Sequence, residues 1–305
     1  MLPKCEIDDK FLELFYHELD DHKLESGNSL NLFIPIISNN KFDFDRLQDS
    51  LYDIIITYAL SRRTQEEIGG LGGRKFKEAV QKLRNSRAII DEDPDNKEGE
   101  LGEILLYCFL ESHLNAPKII SKLEIKTSAN DNVKGSDGIH IKNVAANDYQ
   151  LIFGESKLYS DLDAGIRKAF GSIKDLIDKS FKDFGFEIGL LNSQLIKESV
   201  DDEQYQILKS IIIPNASEDQ FNMDKAFGMF IGFQIDDNEF RNLSNSEYRK
   251  EVRERVVETV MECIKLINVQ IDKEAFRGYP IYIYLLPISN IGSTRVQMIN
   301  ELINK

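Results

Sequence analysis

A strand that is apolar at every position has no face to offer to water, so it commits the chain to a sheet covered on both sides. Residues 151 to 153 read Leu-Ile-Phe, and AFGMFIGFQI near residue 226 is a second run of this kind. The first run ends in Gly154-Glu155-Ser156-Lys157. Side chains alternate along a strand, so Glu155 and Lys157 emerge on the same side, next to each other. Charges at the end of a central strand belong in a cleft; the plainer alternative is an ordinary surface ion pair. The preceding strand, DGIHIKNV, follows a Gly-Ser turn and carries Asp137 on the side of Ile139 and Ile141, opposite His140 and Lys142. Asp137 then has two readings, a turn acid capping the first amides or a partner for Glu155.

The surrounding elements imply an α/β fold. GELGEILLYCFLESHL has apolar positions at helical spacing, PKIISKLEI reads as a strand before the two just described, and a helix runs from about residue 164 to 182. AFGMFIGFQI follows, then a charged helix over roughly 244 to 269 and a last strand, YPIYIYLLPI. The order is helix, three strands, helix, strand, with a helical and strand extension behind it. Ahead of it, FLELFYHELDDH has helical spacing, LNLFIPIIS is a short strand and FDRLQDSLYDIIITYAL an amphipathic helix. Residues 61 to 87 hold eight Lys or Arg against three Glu, broken by glycines 69, 70, 72 and 73 into a turn and a helix. The acidic, proline-containing run DEDPDNKEGE at 91 to 100 reads as a linker or an exposed start of a helix. The division expected is therefore an N-terminal region, 1–96, that binds a partner, and a second unit, 97–305.

Composition narrows the function. A net charge of −14 argues against coating nucleic acid by bulk electrostatics, yet suits acids around a metal or a subunit delivered to its substrate by a partner. No apolar run approaches the roughly 20 residues of a membrane helix, and the acids near the start are unlike a signal peptide, so a cytoplasmic protein is expected. Cys5, Cys108 and Cys263 form no CxxC pair; Cys108 and Cys263 read as buried helix residues. His17, His22, His113 and His140 are scattered, which gives a zinc site no support, and GGLGGRK lacks the GK[ST] of a P-loop.

Asp137, Glu155 and the Ser156 carbonyl supply the oxygen ligands that Mg²⁺, or Mn²⁺ in its place, requires, with water and phosphate on the open side. That is the chemistry of metal-assisted phosphodiester cleavage, with Lys157 orienting the attacking water or meeting developing charge. Glu103, on the preceding helix, is a third acid, with Glu100 and Glu111 as competitors. Arg167 and Lys168 on the following helix are candidates for contacts with phosphates; a solvated helix face is their alternative.

Asp137 followed by Glu155-Ser156-Lys157, with Glu103 on the helix before them, resembles the PD-(D/E)xK nuclease pattern, whose α-β-β-β-α-β core has the same order over residues 97 to 235. Ser-Asp stands here in place of Pro-Asp. GELGEILLYCFLE, GSDGIHI and LIFGESKLY followed by AGIRKAFGSI further resemble the HamA nuclease subunits of the bacterial Hachiman anti-phage system. That resemblance implies a DNA nuclease of a defence system, catalytic positions at Asp137, Glu155 and Lys157 with Glu103 as the helix acid, and a superfamily 2 helicase partner, HamB. A noncatalytic adaptor that keeps the nuclease fold, or an RNase, is the alternative.

Overall fold

A seven-stranded mixed sheet is the frame on which every candidate residue is hung. The computed structural model describes residues 2–89, 99–121, 123, 136–179, 195–199, 201–212 and 221–304. After a 3-10 turn, Asp9–Leu14, come β1 (Phe15–Lys23), β2 (Ser29–Pro35), a small ribbon of β3 (Ile37–Ser38) and β4 (Lys41–Phe42), then α1 (Phe44–Ala59), α2 (Arg62–Ile68) and α3 (Gly72–Ile89). Next come α4 (Glu100–Ser112), β5 (Lys118–Ser121), β6 (Gly138–Ala145), β7 (Asp148–Tyr159), α5 (Leu162–Lys179), a second helix α6 (Asp202–Ile212) that the expected order lacks, and β8 (Asn222–Gln234). The chain continues through α7 (Asn245–Ile271), β9 (Ile281–Ile288) and α8 (Ile291–Asn304). No helix among the described residues is long and apolar enough to cross a membrane.

Strand order across the sheet is β1-β2-β9-β8-β7-β6-β5. The inner strands β2, β9, β8 and β7 run parallel, while β1, β6 and β5 are antiparallel to their neighbours. Parallel strands need cover on both faces, and the residue alternation provides it. On β8, Phe227, Met229, Ile231 and Phe233 enter a core with α5, α6 and α7, whereas Ala226 and Phe230 enter one with α1, α4 and α8. The same split holds on β7, where Leu151 and Phe153 face the first core and Ile152 the second.

Helix α4 lies unusually close to the sheet. Its stripe Gly102, Leu106, Leu110 sits over Ser156, Gly154 and Gly228. A Cβ on Gly154 would stand 2.9 Å from Leu106 Cδ2, and one on Gly228 2.8 Å from Leu110 Cδ2. Both leucines are buried, so neither can step aside at low cost. Glycine at these two strand positions therefore sets the height at which α4 carries Glu103.

FLELFYHELDDH is not a helix: one 3-10 turn gives way at Phe15 to β1, because pairing with β2 outweighs the local helical spacing. Tyr107 and Cys108 lie inside α4 as read, and Cys263 is likewise buried on α7. The sheet runs across the boundary placed at residue 97, since β2 pairs with β9 and residues of α1 and α4 share one core. Most of the acidic run at 91 to 100 lies outside the described residues, as do 180–182 at the end of the helix read from 164. The basic stretch forms α2 and α3, separated at Gly69, whose φ of +71° favours glycine.

Candidate active site

The site is built where one strand stops and its neighbour does not. β6 begins at Gly138, opposite Gly154, but β7 continues to Tyr159 in register with Phe233 of β8. Residues before β6 stand in for the missing strand. The Ser136 hydroxyl accepts from the Gly154 amide at 3.1 Å, and the Asp137 amide donates to the Gly154 carbonyl at 2.8 Å. The Asp137 carboxylate continues the pattern: its Oδ2 accepts from both the amide and the hydroxyl of Ser156, each at 2.7 Å. Ladder groups alternate direction along a strand, so the Ser156 carbonyl turns to the same side as its amide, away from β8.

Glu155 points the other way from Ser156, to the face covered by α5. Lys157 Nζ donates to Glu155 Oε1, and the Ser172 side chain of α5 hydrogen-bonds the same carboxylate. Glu155 is buried. Burial first, and then the charge of Asp137, push its carboxyl up from 4.5 to about 7, although Lys157 and Ser172 pull it back. Two acids at neighbouring strand ends thus feel each other's charge, and the Lys157 ammonium contacts one of them.

Glu103 is buried as well, in the first turn of α4 with Glu100, where the helix amides favour a carboxylate. The Tyr58 hydroxyl donates to Glu103 Oε2 at 3.1 Å. Burial, then Glu103 and Asp137, raise the Tyr58 hydroxyl well above its ordinary range. Asp137 is therefore felt on both sides: by Glu155 toward α5 and by the Tyr58–Glu103 pair toward α4. Among the described residues, Glu103, Asp137 and Glu155 do not present three oxygens within 4.8 Å of one another. Asp137 is the link between two acidic groups.

Arg167 and Lys168 are exposed on α5. Arg167 reaches Asp163 at 3.8 Å, whereas Lys168 lies one turn before Ser172 on the stripe that leads to Glu155. Tyr58 and Ser172 were not read as site residues. A polar residue beside the sheet-facing stripe of α5 is a weak signal for Ser172, and nothing in the local sequence marks Tyr58. The histidine reading is corrected: His17 and His113, although 96 positions apart, meet in the fold together with Asp20. β1 lies against the C-terminal end of α4, a pairing of distant segments that local patterning does not show.

The donor set suits a hard divalent cation: two carboxylates and a strand carbonyl facing away from β8. These features define an α/β protein whose central strand ends in a carboxylate–lysine pair facing a second acid. The chain belongs to the HamA family, which it matches over residues 9–302, and so to the components of Hachiman anti-phage defence. No curated relative matches the chain.

Proposed function

We propose that this chain is a metal-dependent DNA nuclease of the PD-(D/E)xK kind, controlled by a helicase partner. The observation that carries the reading is the end of β7, where Lys157 contacts a buried Glu155 that Asp137 helps push up to about 7. A surface ion pair would show neither the burial nor the second acid. The order of elements around these residues supports the same assignment.

Asp137 and Glu155, with the Ser156 carbonyl, are the groups to hold Mg²⁺ or Mn²⁺. Such an ion supplies Lewis acidity toward a phosphate oxygen and lowers the pKa of a water. Ser156 fixes the Asp137 carboxylate through two donors, which removes its freedom to rotate away. Lys157, on a paired strand, is held in one place and meets the attacking water or the charge developing on the phosphoryl oxygens. Lys168 is placed to meet a neighbouring phosphate. With a net charge of −14, the chain alone has little attraction for DNA, so delivery falls to a partner.

Glu155→Ala and Lys157→Ala are to be assayed on supercoiled DNA with Mg²⁺, with and without the helicase. Both are expected to lose nicking and degradation by at least about a hundredfold, the scale of one preorganised catalytic group. If both cut like the parent, the nuclease assignment is wrong; if both also sustain full protection against phage, the chain is an adaptor.

A further inference from the structure

Away from β7, on the other end of α4, two imidazoles and a carboxylate converge. Asp20 Oδ1 lies 3.6 Å from His17 Nε2 and 3.6 Å from His113 Nε2, and all three ligand atoms fall within 4.8 Å of one another. A regular strand would send residues 17 and 20 to opposite faces. β1 is not regular here: its register against β2 shifts between His17 and Leu19 and again before His22. Asp21 takes a left-handed φ of +45°, and its amide donates to Oδ1 of the fully buried Asn31 at 2.8 Å. The irregularity is thus anchored, and its effect is to aim His17 and Asp20 at the same point.

The imidazoles are also held. His17 stacks on Phe33 with ring centroids 4.0 Å apart, and His113 packs edge-on against Phe33 and Tyr284. Nδ1 of His113 is 3.3 Å from the Tyr284 hydroxyl, which leaves Nε2 as the nitrogen turned toward Asp20. Metal-bound histidines commonly engage their second nitrogen in this way. Side-chain exposure falls from 72% at Asp20 through 27% at His17 to 11% at His113, so the cluster has a half-buried anchor and an open outer side.

We propose that His17, Asp20 and His113 bind a divalent ion of the zinc class, clipping β1 to the C-terminal end of α4. Ligands about 2.0–2.2 Å from a tetrahedral ion stand about 3.4 Å apart, so the two 3.6 Å separations from Asp20 need to close by only a few tenths of an ångström, while the two imidazole nitrogens lie within 4.8 Å of each other. Two imidazole nitrogens and one oxygen favour zinc, cobalt or nickel over Mg²⁺, which takes oxygen ligands. The two metal positions therefore differ in chemical class. A fourth, outward position is left for water or a group from a partner. The role is a staple between the edge strand and the helix that carries Glu103, with no part in the reaction.

Co²⁺ titrated into tag-free full-length protein tests this. The parent and Glu155→Gln are expected to take up one equivalent with a visible absorption band that Zn²⁺ abolishes, and Zn²⁺ is expected to raise the melting temperature of both by several degrees. His17→Gln and His113→Ala should show neither effect. Asp20→Ala, at an exposed position that leaves the fold intact, should weaken Co²⁺ binding at least about tenfold, since even outer-shell losses cost that much. A parent that shows no band and no thermal shift at a large excess of either ion overturns the proposal. So does a band that survives in all three cluster variants, or one that Glu155→Gln removes.

Discussion

Arg62 and Lys118 are buried cations whose donors meet oxygen on several sides. Arg62 reaches Glu198 at 2.7 Å and the carbonyls of Lys118 and Lys4 at 3.0 and 2.9 Å. Lys118 Nζ reaches the carbonyls of Thr57, Tyr58 and Leu60, and its amide donates to Glu111 at 2.8 Å. Glu111 also accepts from the amides of Glu6 and Ile7. At the end of β7 the balance is different. Lys157 contacts Glu155, the charge of Asp137 acts on Glu155, and Asp137, Glu103 and Glu100 all act on Tyr58. The first cluster sets Arg62 and Lys118 against Glu6, Glu111 and Glu198 and joins the N-terminal segment, α2, α4 and β5. At the second, burial and a neighbouring acid disfavour the charged form of Glu155. The first is a joint, and the second is the proposed cation site.

Removing charge from each cluster should separate them. Arg62→Met leaves Glu111 and Glu198 buried without their guanidinium and is expected to destabilise the fold by roughly 3–5 kcal/mol, measured by urea denaturation. A loss below about 1 kcal/mol would erase the distinction. Glu155→Gln should do the opposite. The folded carboxyl sits at about 7 against an ordinary 4.5, so the parent keeps its full stability below about 4.5 and loses it as pH rises through 7. That loss is at most about 3 kcal/mol, and the variant should lack it. By the same sign, Mg²⁺ has to displace a proton at low pH, so its stabilisation of the parent should be greater at pH 8 than at pH 6. A pH-independent thermal shift would count against Glu155 as a ligand.

Smaller changes sharpen the geometry. Gly154→Val forces side-chain atoms into Leu106 and should cost about 1–3 kcal/mol while lowering cleavage through displacement of α4. Tyr58→Phe removes one hydrogen bond to Glu103 and should cost about 1 kcal/mol or less, with a modest loss of cleavage. Unchanged cleavage there would detach Glu103 from the site.

What could be read from the sequence is what is local. The apolar runs of β7 and β8 announced their two-sided burial, and Asp137 could be matched to Glu155 because only a short hairpin separates their strands. The long helices were legible from their spacing. Contacts made by distant segments were not: Tyr58 with Glu103, Ser172 with Glu155, His17 with His113. β1 was misread because six residues of helical spacing precede a strand whose identity depends on β2. The two glycines beneath α4 also looked unremarkable, since their meaning lies in the helix above them.

The most direct test pairs cleavage with stability in one variant. Glu155→Gln, purified with the proposed helicase partner, should lose Mg²⁺-dependent degradation of supercoiled DNA while melting at or above the parent temperature at pH 8. Retention of parental cleavage by a correctly folded Glu155→Gln protein would contradict the account.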